Sequence, residues 1–240
     1  MIAINANFIQ RITLDWNKIA EDSYTRMISS LQGLEQLDFK HAVTFFVGEN
    51  GSGKSTLLEA IAIRYGFNPE GGSRNYQFST YYTHSELFNG IRVARGVIHA
   101  DWGYFLRAES FYNVATKELE YSDLKHPSEK YHEKSHGESF LALAQKQFKP
   151  NGLYILDEPE AALSPQRQLT LLAEIRNCVE AGSQFIIVSH SPIILGYPDA
   201  EIFVFDDGKV HSCLYEETKS YQITEMFIKN REQILRNLFD

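Results

Sequence analysis

Eight consecutive residues, Gly48-Glu49-Asn50-Gly51-Ser52-Gly53-Lys54-Ser55, satisfy every fixed position of the phosphate-binding pattern G-x-x-x-x-G-K-[ST]. Glycines let successive backbone N–H groups turn inward around phosphate oxygens, and a helix starting near Lys54 adds its positive dipole end at the same point. The pattern predicts that Lys54 reaches the β- and γ-phosphates and that the Ser55 hydroxyl holds Mg²⁺, with residues 49–53 and Thr56 completing the cradle. A second pair of chemical groups, Asp157 and Glu158, closes the apolar run Leu153-Tyr154-Ile155-Leu156. Two carboxylates at a strand end can divide the work: Asp157 holds the magnesium ion through water, and Glu158 orients and deprotonates an attacking water.

The flanking sequence supplies elements that could position these groups. Val43-Thr44-Phe45-Phe46-Val47 reads as a short buried strand before the loop, and residues 56–63 read as a helix after it. Pro165 behind Ser164 opens a helix carrying Leu169, Leu172, Ile175 and Val179, which Gly182 closes. Residues 184–188 form another buried strand, ending at Ser189-His190-Ser191-Pro192. Strand, helix and strand make a βαβ unit, so the second half predicts a parallel sheet whose carboxyl ends face the nucleotide.

Elsewhere, residues 8–16 suggest an edge strand, and 31–38 a polar excursion. The cluster Asn68-Pro69-Glu70-Gly71-Gly72-Ser73 breaks the chain, and residues 87–99 and 103–106 suggest antiparallel strands. Residues 112–134 are polar and mixed, as in a small lobe. Asp206-Asp207-Gly208-Lys209 lies between two strand-like runs and predicts a hairpin. Ile223, Phe227, Ile228, Ile234, Leu235 and Leu238 recur at helical spacing, which predicts a C-terminal helix packed on the body. The fold class expected is α/β: a P-loop NTPase with a mainly parallel sheet flanked by helices, an antiparallel β subdomain and a small helical lobe over about residues 110–150, all in one domain, 1–240.

The composition narrows the function classes. At 240 residues and 43% hydrophobic content the chain can bury one substantial core. A formal net charge of −8 argues against a generally basic nucleic-acid coat, though it leaves room for a local basic groove. Two cysteines, Cys178 and Cys213, in apolar-flavoured segments argue against a disulfide framework and for a reducing compartment. The first residues lack a basic n-region and a long apolar stretch, and no apolar run is long enough to span a bilayer. A cytoplasmic location without direct membrane insertion is expected.

With these motifs in place, the chain resembles the ATP-binding-cassette (ABC) type ATPases over most of its length. Ser135-His136-Gly137-Glu138 stands where that family carries its signature loop, usually Ser-Gly-Gly-Gln, at the expected interval before Asp157. Asp157-Glu158-Pro159-Glu160-Ala161-Ala162-Leu163-Ser164 resembles the Walker B and D-loop run, and His190 resembles the switch histidine that contacts the γ-phosphate. The resemblance implies ATP and Mg²⁺ as ligands. It also implies a head-to-tail, ATP-dependent homodimer in which Ser135 and Gly137 of one subunit face the nucleotide of the other. Ser135-x-x-Glu138 is equally a helix capping box, a use compatible with offering a helix N-terminus to phosphate. Ser164 departs from the usual D-loop aspartate and suits the N-cap of the helix at Pro165.

The glutamine loop is not matched: after residues 103–106 the family's glutamine is missing, leaving Glu109, as a metal-side ligand, or Arg107 in its place, with Gln77 too close to the first helix. Phe8, Trp16 and Tyr24 are the aromatic candidates for stacking the adenine. His132-Glu133-Lys134-Ser135-His136 also fits the zinc-protease pattern H-E-x-x-H, but its flanks are polar, Gly137 follows at once and no third ligand is evident. The run Glu-Pro-Glu-Ala-Ala-Leu-Ser-Pro looks more like stand-alone, SMC-related repair ATPases than like transporter subunits, without coiled-coil heptads. The leading expectation is therefore an ATP-driven dimeric switch in DNA repair or defence, acting on a protein or nucleic-acid partner. A transporter's nucleotide-binding subunit and a non-hydrolysing ATP-binding module are the alternatives.

Overall fold

A computed structural model describes residues 6–74, 85–107 and 136–239. Two sheets organise them. Three strands, β1 (Ile9–Leu14), β2 (Gln36–Asp38) and β5 (Ile91–Arg95), form an antiparallel sheet in the order β2-β1-β5. Seven strands form the main sheet: β3 (Val43–Gly48), β4 (Gly72–Ser73), β6 (Trp102–Leu106), β7 (Gly152–Asp157), β8 (Gln184–Val188), β9 (Glu201–Asp206) and β10 (Lys209–Cys213), in the order β10-β9-β3-β8-β7-β6-β4. The five inner strands are mutually parallel, and β10 and β4 add antiparallel edges.

The inner strands carry nearly unbroken apolar runs because both of their faces are covered. Along β3, Phe46 joins a core with helix α2 (Lys54–Tyr65), the short α3 (Leu87–Gly90) and the antiparallel sheet, whereas Val43, Phe45 and Val47 face the opposite core. That second core takes Phe140 and Leu143 from α4 (His136–Gln147), Leu171 and Ile175 from α5 (Pro165–Glu180), and Ile194 from α6 (Pro192–Leu195). Each such fully buried side chain contributes about 1.5–3 kcal/mol relative to exposure. The sheets are joined by one buried amide: Gln184 Oε1 accepts from Ile9 N and Gln184 Nε2 donates to Ile9 O, both at 2.9 Å, as a strand rung would.

Three expectations differ from what is found. Strand β1 is central in its sheet rather than at an edge, because the short polar β2 covers its other side. Strand β6 runs parallel to β7 in the main sheet, with only the two-residue β4 antiparallel to it, whereas β5 pairs antiparallel with β1 as anticipated. The C-terminal helix α7 (Lys219–Phe239) forms, but none of its residues is buried, and it meets the body only through its first turns, at α6 and at Tyr215, which Tyr221 contacts. The hairpin is present: Asp207 and Gly208 take φ 44° and 74° between β9 and β10, the left-handed pair a two-residue turn needs.

Candidate active site

The P-loop joins β3 to α2, and its shape rests on glycine at two points. Gly48 holds φ 147°, and a Cβ there would lie 2.5 Å from the Phe205 carbonyl oxygen of neighbouring β9. Gly53 holds φ 88°, and its Cβ would meet Ile28 and Leu31, the residues that press α1 (Ser29–Gln32) onto the loop. From the same segment the Ser30 hydroxyl donates to the Ser52 carbonyl. Glu49 and Asn50 stand exposed at the loop's rim, with Glu49 3.9 Å from Lys219 at the start of α7. Thr56 sits half-buried in the first turn of α2.

Lys54 is the first residue of α2 and only 4% exposed. Its Nζ donates to the carbonyls of Gly48 and Glu49, each at 2.8 Å, so the loop wraps its own ammonium group. Burial pushes the Lys54 pKa below the ordinary lysine value, and the carboxylates of Glu158, Asp157 and Glu49 work against that shift. Across the sheet, the Ser55 hydroxyl donates to Asp157 Oδ1 at 2.9 Å, bringing the starts of α2 and the end of β7 together. A hydroxyl and a carboxylate in contact are the hard oxygen set that Mg²⁺ takes beside substrate phosphates, and Mg²⁺ needs few protein ligands there.

Glu158 follows in the left-handed region, φ 47° and ψ 55°, its N–H donating to Val188 O at 3.0 Å. That conformation costs a non-glycine residue about 1–2 kcal/mol, and such cost concentrates where a side chain is being aimed. Its Oε1 lies 3.7 Å from His190 Nε2, with both side chains more than a third exposed. Two residues on, Glu160 Oε1 gathers three donors from the loop after β8: Ser189 Oγ at 2.9 Å, His190 N at 2.5 Å and Ser191 N at 3.2 Å. Ser191 in turn caps α6 and donates to Gln168 Oε1 of α5 at 2.5 Å.

The sequence-derived residues Lys54, Ser55, Asp157, Glu158 and His190 therefore meet at the carboxyl ends of β3, β7 and β8. Ser135, Glu109 and Gln77 lie outside the described residues, as does His132-Glu133-Lys134-Ser135 of the zinc pattern; Gly137 is placed only as backbone in the first turn of α4. Arg107 forms a 2.8 Å ion pair with Glu59 of α2 and donates to Pro69 O, which ties the end of β6 to the P-loop helix. Among the adenine candidates Phe8 is a core residue at 2% exposure, Trp16 lies half-buried beneath Arg26, and Tyr24 is 53% exposed. Ser164 occupies the N-cap of α5 without a side-chain capping bond. Glu160 has no role of its own in the sequence pattern; its local signal is a third carboxylate in the turn after β7.

A model described as an AAA domain matches residues 26–153, more than half the chain. The chain belongs to the AAA-domain family. A second AAA-domain model, whose description names an AbiEii toxin of type IV toxin–antitoxin systems, matches residues 137–196. Among curated proteins the chain is 28% identical to the xylose/arabinose import ATP-binding protein XylG of Sulfolobus acidocaldarius, over 83% of this chain and 88% of that one. Solved structures to which the chain is similar include cbiO1 of Clostridium perfringens, part of the ABC transporter complex cbiONQ (17% identity, 96% and 99% coverage, TM-score 0.47). The SMC head domain of Thermotoga maritima is another (17% identity, 86% and 98% coverage, TM-score 0.43).

Proposed function

We propose that this chain binds Mg-ATP and hydrolyses it to ADP and phosphate as a head-to-tail homodimer. The observation carrying the reading is the 2.9 Å contact of Ser55 with Asp157, beside a Lys54 ammonium enclosed by the P-loop. Lys54 would exchange its two loop carbonyls for phosphate oxygens, a step assisted by the charge its carboxylate neighbours keep on it. Bound Mg²⁺, held by Ser55 and Asp157, would neutralise charge on the β- and γ-phosphates. Glu158 accepts a proton from the attacking water as its oxygen bonds to the γ-phosphorus and the bond to the ADP oxygen breaks. His190, 3.7 Å from Glu158, donates toward the γ-phosphate. The single domain spans residues 1–240, with about 110–150 as the signature lobe whose Ser135 and Gly137 complete the partner's site. Glu109 remains the proposed metal-side residue of that lobe.

Glu158→Gln tests this reading. It is expected to lower turnover by about 100-fold or more and to give a dimer in ATP that light scattering detects after size exclusion. A variant that stays monomeric in ATP and hydrolyses at the wild-type rate would remove the proposal.

What the cycle drives divides into two readings. Action on a soluble protein or nucleic acid in repair or defence rests on the Glu-Pro-Glu run and on the second AAA-domain match. Service as the ATP-binding subunit of an importer rests on the 28% identity to XylG. Affinity purification of the Glu158→Gln chain with ATP separates them: a membrane permease in the eluate supports the importer, and a soluble protein or nucleic acid supports the switch. No helix among the described residues is long and apolar enough to cross a membrane.

A further inference from the structure

We propose that Glu160 is a positioning residue, a carboxylate clamp that fixes the backbone of His190 against the turn carrying Glu158. The proposal rests on the hydrolytic reading of Glu158 and His190 given above. One oxygen, Oε1, receives the Ser189 hydroxyl and the consecutive N–H groups of His190 and Ser191. Consecutive backbone N–H groups converging on one acceptor form an anion-binding nest, and here a side chain of the same subunit fills it. The other oxygen, Oε2, is buried with no hydrogen-bond partner among the described residues, so the clamp works through Oε1 alone.

The clamp closes a small circuit. Glu158 N donates to Val188 O, Ala161 N and Leu163 N donate back to the carbonyls of Glu158 and Glu160, and Glu160 reaches across to residues 189–191. Glu158 and His190 thus depart from neighbouring parallel strands, β7 and β8, but are held in register beyond the sheet by one carboxylate. Hydrogen bonds to a charged acceptor are stronger than neutral ones and shorter, which suits a group that must set a distance rather than add general stability.

The test is a double-mutant cycle. Glu160→Ala is expected to lower kcat about 10- to 100-fold, the scale of a small misplacement of a reacting group, while the ATP dissociation constant changes less than about twofold. In a His190→Ala background the same change should cost less than about threefold, because both substitutions disable the same arrangement. Glu160→Gln, which keeps an oxygen acceptor, should recover most of the rate. Hydrogen exchange supplies a readout that needs no turnover: the amides of His190 and Ser191 should exchange faster in Glu160→Ala and stay near the wild-type rate in Glu160→Gln. Losses that multiply across the cycle, or unchanged exchange at 190 and 191, would overturn the clamp. A wild-type chain without ATPase activity would instead sink the proposed function, and exchange would still judge the clamp.

Discussion

Lys54 stands between opposing forces, with burial favouring its neutral form and three carboxylates favouring its charged form; burial is the larger. A base whose folded pKa is depressed is more protonated in the unfolded chain, so its contribution to stability rises with pH through the window just below 10.5. Comparing Lys54→Met with wild type in urea at increasing pH should therefore show the difference moving in favour of the wild type as that window is entered. A difference independent of pH would contradict the assignment. The thiols make a second prediction at this scale. Burial pushes both Cys178 and Cys213 up to about 11, so at pH 8 only about one thiol in a thousand is thiolate. Neither should be alkylated appreciably by iodoacetamide in the folded chain within minutes, and both should react after denaturation. The candidate site residues were readable from sequence because each belongs to a local pattern: Lys54 and Ser55 end the P-loop, and Asp157 and Glu158 end an apolar strand. Glu160 was not readable in that way. Its partners lie 29 to 31 residues onward and two of them are backbone N–H groups, which carry no residue identity.

Among the elements, the P-loop is wedged between β9 and α1, which leaves it little room to change. Gly48→Ala would set a methyl 2.5 Å from the Phe205 carbonyl in a backbone region closed to alanine. A loss of roughly 2 kcal/mol or more is expected in equilibrium unfolding, together with weakened ATP binding; unaltered stability would mean that β9 yields. The inner strands were legible because burial on both faces demands continuous apolar runs. Direction and neighbour were less so. The pairing of β6 with β7 is chosen by a stretch of chain more than forty residues away, and β2 is three residues, Gln36–Asp38, too short and polar to announce itself. Helical spacing in α7 was also visible, but an apolar stripe reads the same whether it is covered or bare. Ile223, Met226, Phe227 and Leu238 are between 40% and 70% exposed.

For the molecule as a whole, the acidic charge and the absence of a long apolar segment were plain in the sequence, whereas the joining of two sheets was not, since it depends on Gln184 meeting Ile9 across 175 residues. That amide has a thermodynamic corollary. A small sheet is stable in water only when its apolar face is packed, and here its middle strand also shares a buried rung with the sheet that carries the P-loop. Heat should therefore melt the pair in a single cooperative step, with calorimetric and van't Hoff enthalpies in agreement. Gln184→Leu, which strands a donor and an acceptor of Ile9 away from water, should cost about 1–3 kcal/mol for each and broaden or divide that endotherm. An undivided transition at the original temperature would show that the amide is incidental and that apolar contact alone yokes the N-terminal strands to the main sheet.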